Sequence, residues 1–367
     1  MNSLRRKLLL TLLCLTSALR WAAAGSAEPQ TSPPGDCDAP PGMEVLCGPV
    51  HPEDLVQIPD TPWIIASNFR MAGGTGQPGE LYLIDSVHRS WTTLLSSASV
   101  RPSTDPAFAD CLPLPDPLGI GSHGLALQRR RDGVQRLWVV NHVGRESVEA
   151  FNVESVGGSP KLVWIGCVVM PTHTLGNGIA ATADDGFVIT SMFDRTDPRR
   201  WEKVAAGEVT GAVYVWHPRG GFHTVQNSAA SGNNGIVVAP DGTLFVAAWS
   251  GKAIVRLRKA GGQMVRDELA LDFLPDNLHW APDGTLLVAG QRRDLHKMFV
   301  QCDPQPCAIA WVLGRIDPKT MKYTTLAEGD GHHFSDATAI VQVGQYFWVG
   351  SASAHAIALL PTEKSRR

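Results

Sequence analysis

Several motifs that mark common hydrolases and nucleotide-binding enzymes are missing from this sequence. It contains no G-x-S-x-G, no H-E-x-x-H and no Walker loop, which argues against a serine-nucleophile hydrolase, a zinc protease and a P-loop enzyme. Charged residues make up only 18%, and the compact interior basic run Arg129–Arg131 is closed by Asp132. A solvated turn explains that run better than a phosphate-binding patch, so we expect no nucleic-acid partner.

Beyond the N-terminal segment, the sequence has no apolar run long enough to cross a bilayer. Arg5, Arg6 and Lys7 precede an apolar stretch, Leu8–Leu19, and small residues then offer candidate cleavage sites. This order of basic, apolar and small residues is typical of a secretory signal peptide. We therefore predict a signal peptide over residues 1–27 and an exported protein, periplasmic or extracellular, with no integral membrane span.

The sequence also has no C-x-x-C pair, which leaves a thioredoxin-like or zinc-ribbon site without support. Six cysteines remain after the predicted cleavage, and an even number in an exported protein permits disulfides. Sequence alone does not choose among the many pairings. Short loops favour Cys37–Cys47 and Cys302–Cys307, and buried free thiols are the alternative.

One short pattern recurs along the chain: a hydrophobic run, a tight turn and a second hydrophobic run. Asp-Gly between apolar runs is a strong hairpin signal, because both residues tolerate positive φ. The turns lie mostly about 40 to 60 residues apart, after a first interval of 72, at Pro59-Asp60, Asp132-Gly133, Asp185-Gly186, Asp241-Gly242, Asp283-Gly284 and Gly344. Six such hairpins predict an all-β fold, a single six-bladed β-propeller over residues 43–367.

The remaining N-terminal residues, 28–42, are rich in proline, serine and glycine and are predicted to be a flexible leader. A doubly wound α/β fold is the structural alternative to the propeller. It has little support, because no long amphipathic helix pattern competes with the hairpins.

A polar side chain lies six to nine residues before each turn, where the innermost strand of a blade begins near the propeller axis. Two carboxylates and several neutral amide oxygens converging there would form a cage that suits calcium. The predicted ligands of this central calcium are Glu53, Asn177, Asn234, Asp276 and Asn277. The polar residue at this place is His123 in the second repeat and Ser335 or Asp336 in the sixth. Taken singly, each residue has another explanation, since Asn before Gly often forms a turn and Glu53-Asp54 could cap a helix.

Around the histidines the sequence resembles the paraoxonase/arylesterase family, within the gluconolactonase-like six-bladed propellers. Val139-Val140-Asn141-His142 followed by Ser147–Phe151 is similar to the family signature, and His123-Gly124 lies the family's 19 residues before His142. Glu53-Asp54-Leu55, Asn234-Gly235-Ile236 and Asp276-Asn277 match the family pattern as well. The resemblance extends from about Cys47 to the C-terminus.

The resemblance implies a calcium-dependent lactonase or arylesterase that acts on a small-molecule lactone or ester. It assigns the same five residues to the catalytic calcium, and it makes His123, and less directly His142, a base or a water-positioning dyad. Asp276 is an alternative base. For a second, structural calcium the family would use Asp54 and the backbone carbonyl of Leu125, but Gly178 stands where the family has an acidic residue.

The family also joins a cysteine near its first blade to one at the C-terminus. Cys47 matches the first of these, but the tail Ala356–Arg367 has no cysteine. We therefore expect the ring to be closed by strand pairing or by another bridge.

Three other functions are compatible with these residues: a sugar-lactone hydrolase of the gluconolactonase type, a non-catalytic calcium-stabilised binding module, and a strictosidine-synthase-like condensing enzyme. The last would not need the full set of calcium ligands. Substrate preference is expected to lie in loops such as Met71–Gly79 and Arg293–Cys307.

Overall fold

The structure is a computed structural model that describes residues 37–72, 75–95, 98–103, 105–109, 111, 119–297 and 307–362. The predicted signal peptide, residues 1–27, lies outside these ranges. No helix within them is both long enough and apolar enough to span a membrane. Among the described residues α1 (Arg200–Ala205) is the one α-helix, and two 3₁₀ turns cover Pro106–Phe108 and Leu295–Lys297.

The rest of the regular structure is β-strand. In chain order the strands are β1 (Glu44–Cys47), β2 (Leu55–Gln57), β3 (Trp63–Ser67), β4 (Met71–Ala72), β5 (Thr75–Gly76), β6 (Leu81–Asp85), β7 (Ser90–Thr93), β8 (Ser99–Val100), β9 (Ser122–Arg129), β10 (Gln135–Asn141), β11 (Ser147–Val156), β12 (Ser159–Val169), β13 (Thr174–Ala181), β14 (Phe187–Asp194), β15 (Ala212–His217), β16 (Gly221–Thr224), β17 (Asn233–Val238), β18 (Leu244–Ala248), β19 (Ala253–Ala260), β20 (Gln263–Ala270), β21 (Leu274–Trp280), β22 (Leu286–Arg292), β23 (Ala310–Asp317), β24 (Lys322–Gly329), β25 (Ala337–Val343), β26 (Tyr346–Ser351) and β27 (Ala356–Pro361).

These strands form six antiparallel blades. The blades are β2-β3-β6-β7, β9-β10-β11-β12, β13-β14-β15-β16, β17-β18-β19-β20, β21-β22-β23-β24 and β25-β26-β27-β1, with β8 added in parallel to β12 and β4-β5 forming a small separate hairpin. The first strands of neighbouring blades contact one another around a closed circle, β2-β9-β13-β17-β21-β25 and back to β2. The predicted six-bladed β-propeller is therefore confirmed, and its axis runs between these six strands.

All six predicted turns lie between the first and second strands of a blade. Each turn contains a residue with positive φ. In three Asp-Gly turns it is the glycine, namely Gly133, Gly242 and Gly284, whereas in the third blade it is Asp185, with φ of 65°. In the two weaker repeats the residues with positive φ are Asp60 and Gly344. The turn chemistry therefore marked the blades correctly even where the residue with positive φ differs.

Strand pairing closes the ring. The N-terminal strand β1 pairs antiparallel with β27, from Glu44 opposite Leu359 to Cys47 opposite Ala356, and so becomes the outer strand of the last blade. Closure by strand pairing, one of the two expected routes, is what the chain uses. The predicted Cys37–Cys47 disulfide is present and ties the segment before β1 to this strand.

A second disulfide, Cys111–Cys167, joins the segment after the first 3₁₀ turn to β12. Its loop is long, with a separation of 56 residues, so the short-loop preference had no means of finding it. Cys302 lies outside the described residues, so Cys302–Cys307 stays a prediction.

Large apolar side chains fill the spaces between blades. Trp138 on β10 is fully buried, and its ring centroid lies 5.2 Å from that of Phe187 on β14 in the next blade. Trp216 on β15 stacks on Phe187 with 5.0 Å between centroids and lies 6.0 Å from Trp138, so the three rings form one cluster. The β-branched and aromatic residues that predicted strands therefore also fix each blade against its neighbour.

Candidate active site

A β-bulge lies in each of the five innermost strands from β9 to β25. In four of them it holds the predicted axial residues, and in β25 it lies at Thr338, two residues after the predicted Asp336. Two residues of the inner strand there face one residue of the next strand: Gly176 pairs with Ser191 and Ile179 with Ile189, which leaves Asn177 and Gly178 opposite Thr190. The equivalent bulged residues are His123-Gly124, Asn234-Gly235, Asp276-Asn277 and Thr338. A bulge re-aims the local side chain, and here it recurs where the inner strands approach the axis.

Glycine makes this convergence sterically feasible. A Cβ on Gly178 would lie 2.6 Å from the carbonyl oxygen of Asn234, and a Cβ on Gly235 would lie 2.4 Å from that of Asp276. Asn177-Gly178 and Asn234-Gly235 are therefore strand bulges, not the turns that Asn-Gly commonly forms. Close backbone approach also explains why a glycine occupies position 178, where the family pattern has an acidic residue.

Gly235→Ala is expected to lower the free energy of unfolding by about 2–4 kcal/mol, because the added methyl group meets backbone and not a movable side chain. Gly220→Ala is the matched control, since its Cβ would have no neighbour closer than 3.5 Å. Urea unfolding of both variants measures the difference. Equal stability of the two would contradict the close approach of β17 and β21.

The predicted calcium ligands come together and carry unsatisfied oxygens. Glu53, Asn177, Asn234, Asp276 and Asn277 are each at most 6% exposed. Glu53 Oε2, Asn177 Oδ1 and Asn234 Oδ1 are buried and have no hydrogen-bond partner among the described residues. An orphaned buried oxygen costs free energy that a bound cation would recover. The donor set therefore fits a hard cation with oxygen ligands.

The pKa values of the two buried carboxylates also favour a cation at this site. Burial, together with the neighbouring Asp54 carboxylate, raises the pKa of Glu53 to about 8. Burial and the charge of Glu53 also raise the pKa of Asp276 well above its ordinary value. Two carboxylates held together away from water are stabilised in their charged form by a cation between them.

The remaining contacts show which side chains support the cage. Asn277 Nδ2 donates to Glu53 Oε1 at 2.7 Å, and Gln291 Nε2 donates to Asp276 Oδ2 at 2.7 Å. Asn277 therefore holds Glu53 through its nitrogen, and its predicted role as a ligand stays a prediction. Within the described ranges no cluster of three or more His, Cys, Asp and Glu is arranged to bind a metal, so a cation site here depends on the asparagine oxygens.

Next to the cage the two predicted histidines form a hydrogen-bonded relay with a carboxylate. His123 Nδ1 lies 2.9 Å from His142 Nε2, and His142 Nδ1 lies 3.0 Å from Glu146 Oε1. Glu146 also accepts from the Gly176 N–H at 2.7 Å and lies 3.4 Å from Arg195. The ring of Phe69 stacks on His123 with 4.1 Å between centroids.

The relay fixes the tautomers. A carboxylate only accepts hydrogen bonds, so His142 carries its proton on Nδ1 and accepts from His123 through Nε2. His123 then carries its proton on Nδ1, which leaves its Nε2 unprotonated, 3.6 Å from Glu53 Oε2 and facing the cage. Burial, and then the neighbouring His142, lower the pKa of His123 to about 3, so this ring is neutral at pH 7.

At the position of the predicted second calcium, protein donors already surround Asp54. Its Oδ1 accepts from the Leu55 N–H at 2.8 Å and lies 2.9 Å from His279 Nε2, and its Oδ2 accepts from the Leu125 N–H at 2.8 Å. Leu125 thus contacts Asp54 through its nitrogen. His279, which we did not single out from the sequence, joins β21 to the start of β2 here. A second calcium stays a prediction that nothing in these contacts requires.

A cavity of about 650 Å³ opens above the cage and the histidines. Its walls are mainly apolar and aromatic, with two arginines among them. The lining includes Phe69, Leu175, Met192, Arg200, Trp201, Trp249, Arg293, Thr338 and Ala352, with Glu53, His123, His142, Asn177, Asn234, Asp276, Gln291 and Asp336 around the polar part. A pocket of this size and character suits a mostly apolar small molecule with a few polar atoms.

Several residues of this site were not predicted. Asp336 does line the cavity, as one of the two residues offered for the sixth repeat, but Glu146, Phe69 and Gln291 carried no repeat signal. Glu146 follows His142 by four residues, in the segment between β10 and β11. That spacing could have indicated a paired carboxylate only if the loop had been known to fold back onto the ring.

The fold is shared with solved structures, although no protein-family model and no curated protein sequence matches the chain. One similar structure is a gluconolactonase from Xanthomonas campestris, at 14% identity and a TM-score of 0.53 over 92% of this chain and 96% of that one. A structural-genomics protein provisionally named a gluconolactonase is 13% identical, with a TM-score of 0.51 over 92% and 98%. A luciferin-regenerating enzyme is 11% identical, with a TM-score of 0.53 over 88% and 96%. At these identities the likeness shows a common propeller fold.

Proposed function

We propose that this protein is an exported, calcium-dependent lactonase and arylesterase of the paraoxonase type, which hydrolyses lactones and related esters. The observation that carries the proposal is the set of orphaned buried oxygens of Glu53, Asn177 and Asn234 beside an unprotonated His123 nitrogen. The gluconolactonases among the similar structures favour the same kind of reaction. The two disulfides support export, since such bonds persist in oxidising compartments.

A calcium ion held by Glu53, Asn177, Asn234 and Asp276 would supply a Lewis acid that polarises the carbonyl group of a lactone or ester. His123 Nε2 accepts the proton of the attacking water, because it is the ring nitrogen that faces the cage without a proton. His142 holds His123 in this tautomer. Glu146 orients His142 and stabilises the positive charge that develops on the imidazole pair.

The cavity favours a substrate with an apolar body over a sugar lactone. Phe69, Leu175, Met192, Trp201 and Trp249 all line it. A small polyhydroxylated ring would need hydrogen-bond partners on its several faces, and apolar walls leave its hydroxyl groups unpaired. The sugar-lactone reaction of the gluconolactonases is therefore the second candidate.

Hydrolysis of a small panel with calcium and after chelation tests the proposal. The panel contains aliphatic lactones, glucono-lactone and phenyl acetate. We expect turnover of the aliphatic lactones or the phenyl ester that chelation abolishes and calcium restores. Preference for the sugar lactone would favour the second candidate, and no turnover despite bound calcium would overturn the enzymatic function and leave a binding module.

Glu146→Gln is expected to lower kcat about 100-fold, because a neutral amide no longer stabilises charge on the histidine pair. KM and calcium affinity should change little, since Glu146 does not itself line the cavity and meets the site only through His142. Glu154→Gln is the matched control, as Glu154 is a partly exposed residue of β11 paired with Arg101 at 2.9 Å. Unchanged kcat in Glu146→Gln would remove Glu146 from the mechanism.

A further inference from the structure

Two arginines line the cavity, from neighbouring segments of the chain. Arg200 belongs to α1, and Arg293 directly follows β22 and precedes the 3₁₀ turn Leu295–Lys297, which contacts α1. Trp201 packs edge-on against Phe193 of β14 with 4.7 Å between ring centroids, which fixes α1 against the third blade. Both guanidinium groups therefore lie on well-packed segments beside the space that a substrate would fill.

Arg200 has no carboxylate partner among the described residues. Its Nη1 donates to the backbone carbonyl of Asp197 at 3.1 Å, and its guanidinium lies 5.9 Å from the ring centroid of Phe193. The Asp197 carboxylate is instead paired with Lys203. A half-buried guanidinium whose nearest contacts are a carbonyl and an aromatic ring retains N–H groups able to donate to an anion.

The charges around the cavity leave one positive charge over. Glu53 and Asp276 would balance a bound calcium ion, and Glu146 and Arg195 lie 3.4 Å apart and balance each other. Asp336 and Arg293 both line the cavity and carry opposite charges. Arg200 is the cation that remains, and a ligand with one negative charge would neutralise the site.

We infer that the preferred substrates are lactones or esters with an apolar body and one carboxylate group, and that Arg200 selects them by pairing with that carboxylate. Trp201 and Trp249 supply apolar surface for the body of the molecule, and the reacting carbonyl lies over the cage. The inference rests on the proposed hydrolase function for the reacting group, whereas recognition of the carboxylate is a property of binding and is measured without turnover.

A pair of matched lactams tests this, because a lactam resembles the substrate ring but resists hydrolysis. Both carry the same alkyl chain, which ends in a carboxylate in one and in a carboxamide in the other. Titration calorimetry of the calcium-loaded protein should show roughly tenfold tighter binding of the carboxylate. In Arg200→Gln the two affinities should become equal, whereas Arg200→Lys should keep part of the preference. Arg199→Gln is the matched control, since Arg199 is exposed and paired with Glu202 at 3.1 Å.

Equal affinities in the unmodified protein, or an undiminished preference in Arg200→Gln, would overturn the inference, and so would failure of both lactams to bind. Its failure is distinguishable from failure of the proposed function. Lactone hydrolysis without a carboxylate preference would remove only the role of Arg200. Arg200-dependent binding of the carboxylate without hydrolysis of any lactone would instead support an anion-binding pocket and remove the enzymatic function.

Discussion

Asn234→Ala should lower kcat/KM for lactones about 1000-fold, the largest effect expected of a single substitution here. The amide oxygen of Asn234 is buried and has no hydrogen-bond partner among the described residues. Its removal takes one neutral ligand from the cage and should weaken calcium binding about 10- to 100-fold. Calorimetric calcium titration and lactonase assays measure both effects.

Two variants serve as controls. Asn152→Ala removes another orphaned asparagine oxygen, on β11 in the third strand of its blade, away from the inner strands. His296→Ala changes an exposed residue of the short turn after β22. Both should keep full activity and calcium affinity. If Asn234→Ala retained activity, or if Asn152→Ala lost it equally, the axial oxygens would have no special role.

The fold was predictable because the turn chemistry and the strand propensities repeat together. Asp241-Gly242 and Asp283-Gly284 lie between apolar runs with nearly the same neighbours, and each forms the inner hairpin of a blade. The Cys111–Cys167 disulfide and the parallel addition of β8 could not be predicted in this way. Both join segments outside the repeat, where no local pattern specifies the partner.

The sequence indicated which positions of the repeat contribute to the site, but not which contacts their side chains make with other strands. Counting back from each turn indicated Glu53, Asn177, Asn234 and Asn277, with Asp276 beside the last. In the third, fourth and fifth blades the count works because the bulge occurs at a nearly constant distance from the hairpin. The orientation of Asn277 toward Glu53 and the donation from Gln291 to Asp276 depend on contacts between strands. His279 beside Asp54 and Glu146 beside His142 are likewise tertiary contacts, which a pattern within one repeat does not contain.

Glu53→Gln should stabilise the metal-free protein and destabilise the calcium-loaded protein. Without metal, burial first and the Asp54 carboxylate second raise the pKa of Glu53 to about 8 from an ordinary 4.5. Between these pH values the folded protein keeps a proton that the unfolded chain has released. The free energy of unfolding is therefore highest below pH 4.5 and falls as the pH rises toward 8. Glutamine carries no such proton, so at pH 7 in chelator the variant should melt at least about 5 °C higher than the unmodified protein.

With calcium the order should invert. The glutamine oxygen is neutral and binds the cation more weakly than a carboxylate does, so saturating calcium should raise the melting temperature of the unmodified protein above that of Glu53→Gln. Glu154→Gln, at a partly exposed position of β11, should leave both melting temperatures unchanged. A variant less stable than the unmodified protein both with calcium and in chelator would mean that Glu53 stabilises the fold through its bond to Asn277. If the variant instead melts higher in chelator and lower with calcium, a cation must balance the buried carboxylates on the propeller axis.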